Sequence, residues 1–143
     1  VEQYLLRLLI AAVLGLVMGI ISNTQDNTRS SRVFCFICTG AALTSITAVG
    51  IYGSMNIPYV GDPGRLPAQV ISALGFLGTG MILVTEDNKV RGMSTAASLW
   101  LTAILGMLIG AGTSSVWIIG AIFFILIYTI SPFIPVRRQD RNQ

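Results

Sequence analysis

Cys35 and Cys38 form a CxxC spacing, the pattern in which a dithiol can cycle redox state or supply two thiolates to a metal. A tetrahedral site needs further nitrogen or sulfur ligands, and the chain has no histidine and no other cysteine. The pair lies inside the apolar run Val33 to Val49, so it reads as two ordinary buried residues. A second group with chemical capacity is Arg7, Asp62, Arg65 and Gln69, which the topology below gathers on one side of a membrane. Arg7 and Asp62 can close a clasp if their helices pack together. On the other side, Glu86 and Asp87 are acids of the kind that hold hydrated Mg²⁺, although adjacent surface acids are commonplace. Arg91 nearby has the chemistry to meet a lipid phosphate, a partner or water. No nucleophile is placed beside a base, so an enzyme is not expected, and no cofactor is implied.

The elements that must hold these residues are set by composition. Only 10% of the 143 residues are charged and 53% are hydrophobic. Soluble domains carry about 25% charged residues, which this surface could not match without exposing large apolar patches. The expected class is therefore all-α, a polytopic membrane bundle forming one domain over residues 1–143 with the bilayer as its solvent. Five apolar runs stand out, at Tyr4 to Ile21, Val33 to Ile51, Leu66 to Val84, Ser94 to Ala111 and Ser115 to Ile134. Each approaches the ~20 helical residues that cross a bilayer. The last two would make one helix of ~60 Å, so a reversal at Gly112-Thr113-Ser114 is expected. No signal peptide is expected ahead of the first run.

The basic residues predict orientation. Arg29, Arg32, Lys89, Arg91, Arg137, Arg138 and Arg141 fall on one side, and Arg7 and Arg65 on the other, accounting for all nine. Lys and Arg concentrate on the cytoplasmic side, which puts the N-terminus out and the C-terminus in. The arginines of the tail, Val136 to Gln143, then lie against anionic headgroups. This distribution follows topology rather than forming a nucleic-acid patch. No internal repeat is evident, which disfavours an inverted-repeat transporter.

Within the spans, small residues recur at helical spacing. Ser94, Ser98, Thr102, Gly106 and Gly110 share one face of the fourth, and Ala11, Gly15 and Gly19 one face of the first. Such stripes let helices pack closely, inside one bundle or at an oligomer seam, with the bundle favoured. In the third span Ser72, Gly75 and Thr79 share a face that Gly78 and Gly80 widen. Close crossing by another helix is expected there ahead of a local unwinding that would turn carbonyls into a cavity. Asp62 is placed to cap the third helix and Ser94 or Thr95 the fourth. No carboxylate lies within any span, which argues against ion transport by this chain alone.

Several segments resemble the bacterial MgtC/SapB family. They are Asp62-Pro63-Gly64-Arg65, Ala68-Gln69-Val70-Ile71-Ser72, Gly75-Phe76-Leu77-Gly78-Thr79-Gly80, and Val90-Arg91-Gly92-Met93 through Trp100. Arg7-Leu8-Leu9 through Gly15 and Gly19, and Arg32 followed by Cys38-Thr39-Gly40-Ala41-Ala42-Leu43, extend the likeness up to Gly112. The resemblance implies a multi-pass inner-membrane protein linked to growth at low magnesium and, in pathogens, to survival in macrophages. It implies a regulator of membrane partners such as ATP synthase or transporters, and the expected partners are the lipid bilayer and a homo-oligomer or other membrane proteins. The alternative is a small transporter or channel subunit, for Mg²⁺ or another ion, whose path the third helix lines. Two departures limit the transfer. Ile21 and Ser22 stand where many members carry an acidic-basic pair, and a C-terminal cytoplasmic domain is not expected in this chain.

Overall fold

The computed structural model describes residues 2–26, 31–54, 62–84 and 90–130. Among these residues five helices form, α1 (Glu2–Asp26), α2 (Ser31–Ser54), α3 (Arg65–Met81), α4 (Met93–Ala111) and α5 (Ser114–Ile130). Between α3 and α4, strands β1 (Leu83–Val84) and β2 (Val90–Arg91) make a two-residue antiparallel ladder, pairing Leu83 with Arg91 and Val84 with Val90. The third helix therefore stops short of the expected Val84. Ile82 leaves the helix at φ −85°, ψ 113°, where its extended backbone starts the ladder. The α3 glycines leave the helix continuous to Met81, so the local unwinding considered for this segment does not occur.

Of the five helices, α4 is the centre. It packs against α1, α2, α3 and α5, and most of its residues from Thr95 to Gly110 are buried. Its contacts form three apolar groups. Met18, Phe34, Leu99, Leu105, Ala121 and Phe124 pack at one end. Ala11, Cys38, Ala42 and Ile109 fill the junction of α1, α2 and α4. Ala41, Leu74, Ala103 and Met107 join α3 to α2 and α4.

Two glycines with positive φ set the ends of α4. Gly92, at φ 85°, is its N-cap, and a side chain there would strike the Met81 carbonyl oxygen. No side-chain cap is made, so the capping expected of Ser94 or Thr95 falls to a backbone turn that only glycine fits. Gly112, at φ 82°, closes the other end. Its N–H donates to Ile109 O at 3.1 Å and that of Thr113 to Leu108 O at 3.3 Å. This pairing is a Schellman motif, and it turns the chain back into α5 at the predicted reversal.

Three stretches, Glu2–Ser22, Ser31–Gly53 and Met93–Ala111, are long and apolar enough to cross a membrane. The expected inner acids Glu86 and Asp87, the tail Val136 to Gln143 and the end of the fifth span lie outside the described residues.

Candidate functional site

The glycine stripes lie inside the molecule. A methyl group at Gly15 would sit 2.7 Å from Phe34 O and 2.8 Å from Cys35 Cα, and one at Gly19 2.5 Å from Ser31 Cα. From α4, methyl groups at Gly106 and Gly110 would strike the carbonyl oxygens of Cys38 and Ala42. Thus α2 carries two backbone-to-backbone seams, one to α1 and one to α4, which meet at Cys38. Ser98 and Thr102 continue the α4 seam and are buried. Their hydroxyls donate to their own helix, at Ser94 O (2.8 Å) and Ser98 O (2.7 Å). A partner surface built on Gly15 and Gly19, or on Gly106 and Gly110, is thereby corrected. These positions are already filled by the chain's own α2.

Cys38 is buried in the same seam, while Cys35 is half-buried, and both are free thiols. Among the described residues, no three His, Cys, Asp or Glu side chains come together to hold a metal ion.

The polar residues expected together on one side of the membrane divide. Arg7 donates through Nη1 to Gly110 O at 3.1 Å, joining α1 to the end of α4. The Schellman pair satisfies Leu108 and Ile109, and the guanidinium takes the next free carbonyl. A cation at a helix C-terminus also opposes the dipole there. Arg7 lies against Gly112, where an added methyl would come within 2.7 Å of Nη2. The expected clasp between Arg7 and Asp62 is not made among the described residues, because α1 packs on α2 and α4 rather than on α3. Instead Asp62 accepts the Gly64 N–H through Oδ1 at 2.8 Å, and its carbonyl accepts the Arg65 N–H at 3.1 Å. It shapes the turn one residue before the helix, whose N-cap, Gly64, has no side-chain cap.

Arg65 and Gln69 point away from the bundle. On α3 the residues with the least exposure are Pro67, Val70, Leu74, Gly78 and Met81, a stripe turned to the bundle in which Leu74 is the one buried residue among those described. A Cβ added at Gly78 would be in ordinary contact with Ala96 at 3.7 Å, and at Gly75 and Gly80 it would meet open space. The close crossing expected at this glycine run is therefore not made among the described residues, since a side chain fits at all three positions. The opposite face is uncovered, and Phe76 on it is 81% exposed. The composition of this face was visible in the sequence, but its lack of a neighbour was not. Arg91 lies in β2 and its side chain is outside the described set.

A family model for the MgtC family matches residues 8–136. The chain belongs to the MgtC family. Its relatives include YhiD of Escherichia coli (strain K12), whose name carries a provisional magnesium-transporter assignment, at 32% identity over 142 residues, covering 98% of this chain and 66% of the relative. Protein MgtC of Salmonella typhimurium (strain 14028s) is 39% identical over 109 residues, covering 76% of this chain and 44% of the relative. Slr0014 of a Synechocystis species, an uncharacterised protein, is 36% identical over 125 residues, covering 87% of this chain and 50% of the relative. This MgtC-family chain thus spans about half to two thirds of the length of these relatives. No solved structure matches it.

Proposed function

We propose that this MgtC-family chain is a non-enzymatic, multi-pass protein of the bacterial inner membrane that regulates membrane partners by contact within the bilayer during adaptation to low magnesium. All five helices span, with the N-terminus outside. At 17 residues, α3 and α5 each reach ~26 Å, close to the hydrocarbon thickness. The observation that carries the reading is the closed centre of the bundle. The seams around α2 leave no room for a Cβ, and the buried hydroxyls whose bonds are described turn back on their own helices. Packed this way, the described part of a lone copy has no room for an ion at the seams of α2, but it exposes a polar helix face on which contact can act. Low magnesium is what the resemblance to the family implies, and the name of the Escherichia coli relative points to the same ion.

That name also favours a second reading, a magnesium transporter. One experiment separates the two: growth of a strain lacking its own copy at low magnesium, together with Mg²⁺ flux into proteoliposomes holding the purified chain. Rescue of growth without flux is the expected outcome. Flux above that of empty liposomes establishes the transporter, and no rescue removes the link to magnesium.

A further inference from the structure

The outward face of α3 differs from that of the other lipid-directed helices. On α5 the exposed residues include Val116, Ile118, Ile119, Ile122, Phe123 and Leu126, a surface suited to acyl chains. On α3 the residues opposite the contact stripe are Arg65, Gln69, Ser72, Phe76 and Thr79, all exposed. Their spacing of four, three, four and three residues is that of a helix–helix seam. Ser72 and Thr79 donate to their own helix, at Ala68 O (3.4 Å) and Phe76 O (2.7 Å). The Gln69 amide has no partner among the described residues. One turn below the helix start, an amide facing acyl chains is costly unless something bonds it.

We propose that α3 pairs with α3 of a second copy of this chain about a two-fold axis normal to the membrane, along Arg65, Gln69, Ser72, Phe76 and Thr79. The surface is complementary to itself in charge, hydrogen bonding and shape. Asp62 and Arg65 sit three residues apart at the head of the helix, both exposed. In a parallel pair the two Arg65 side chains flank the axis, and each extends to Asp62 of the other copy, which offsets their mutual repulsion. An amide is both donor and acceptor, so two Gln69 side chains satisfy one another across the axis. Phe76 projects beside Gly75 and Gly80, where open space receives the facing ring. Copies inserted in one orientation present α3 in parallel, as an isologous contact requires. The outward face of α2 also leaves Gly40 and Gly50 open, but it carries no charge pair or amide below its first turn.

The inference rests on α3 lying in the bilayer, as proposed above, and the test reads the two apart. Donor- and acceptor-labelled full-length chains are reconstituted in vesicles and diluted with lipid while energy transfer is followed. Wild-type transfer should exceed the random-encounter level and fall on dilution. Asp62→Lys and Arg65→Asp each place like charges across the axis and should each weaken association about tenfold, within the range of single polar contacts in membranes. Mixing the two variants should restore it, because opposite charges then face each other. Gln69→Leu, on an open face, should weaken pairing while the chain stays monodisperse. Wild-type transfer at the random level, or a mixture no better than either variant alone, overturns the pairing. So does photo-crosslinking from position 76 in cells that captures a different protein and no second copy. Insertion is read from Ser72→Cys in a Cys35→Ser, Cys38→Ala background. Shielding from an impermeant maleimide without transfer sinks the pairing alone, whereas labelling sinks the membrane placement of α3 as well.

Discussion

Arg7 is the residue whose role changes most between sequence and structure. A lone arginine one turn into an apolar segment calls for an acid or for the membrane surface, and Asp62 is an acid expected on the same side. The partner is a backbone carbonyl, Gly110 O, left free because the Schellman turn at Gly112 satisfies only its two predecessors. Gly112 was legible as a turn, since glycine closes helices and two spans had to separate there. Its contact with the guanidinium was not legible. Arg7→Ala should destabilise the chain by about 1.5–3 kcal/mol, the usual worth of a charged hydrogen bond, read as a lower midpoint of thermal unfolding in detergent. Gly112→Ala should cost at least the ~1–2 kcal/mol of a left-handed non-glycine residue and lose part of its effect when Arg7 is already alanine. Strict additivity of the pair would remove the contact from the account.

At the scale of the element, two kinds of glycine look identical in sequence and differ in space. Gly15 and Gly106 each lie on an α2 backbone, whereas Gly75 and Gly80 lie on nothing. The difference follows from which helices are neighbours, and small-residue spacing is the same in either case. Gly106→Ala should cost about 1–3 kcal/mol, because α2 and α4 must part to admit the methyl group. Gly75→Ala should leave the same unfolding midpoint unchanged or raise it when the copies are diluted apart in detergent, since alanine is the better helix former and meets no atom of its own chain. Equal losses at both positions would contradict the packing order described for α2 and α3. The helix bounds show the same limit. Apolar content carried the third span to Val84, but the Gly92 turn against Met81 O and the pairing of Leu83 with Arg91 end it three residues earlier.

For the whole molecule, orientation is the property that distributes every other role. The proposed topology places Asp62 and Thr113 outside and Lys89 inside. Cysteine substitutions at the three positions, in the background without Cys35 and Cys38, should react with an impermeant reagent in intact cells at the first two only. Labelling of Lys89→Cys from outside would reverse the reading. The sequence by itself determined the solvent, the helical class, five segments, the reversal at Gly112 and the family, because hydropathy, length and motif order are properties of the chain read in line. Only the tertiary structure decided that α4 is the hub, that Arg7 joins α4 rather than α3, and that one glycine face is closed and another open. Those outcomes depend on the order in which helices become neighbours. In a bundle whose seams are all built from small residues, local sequence does not distinguish one neighbour from another.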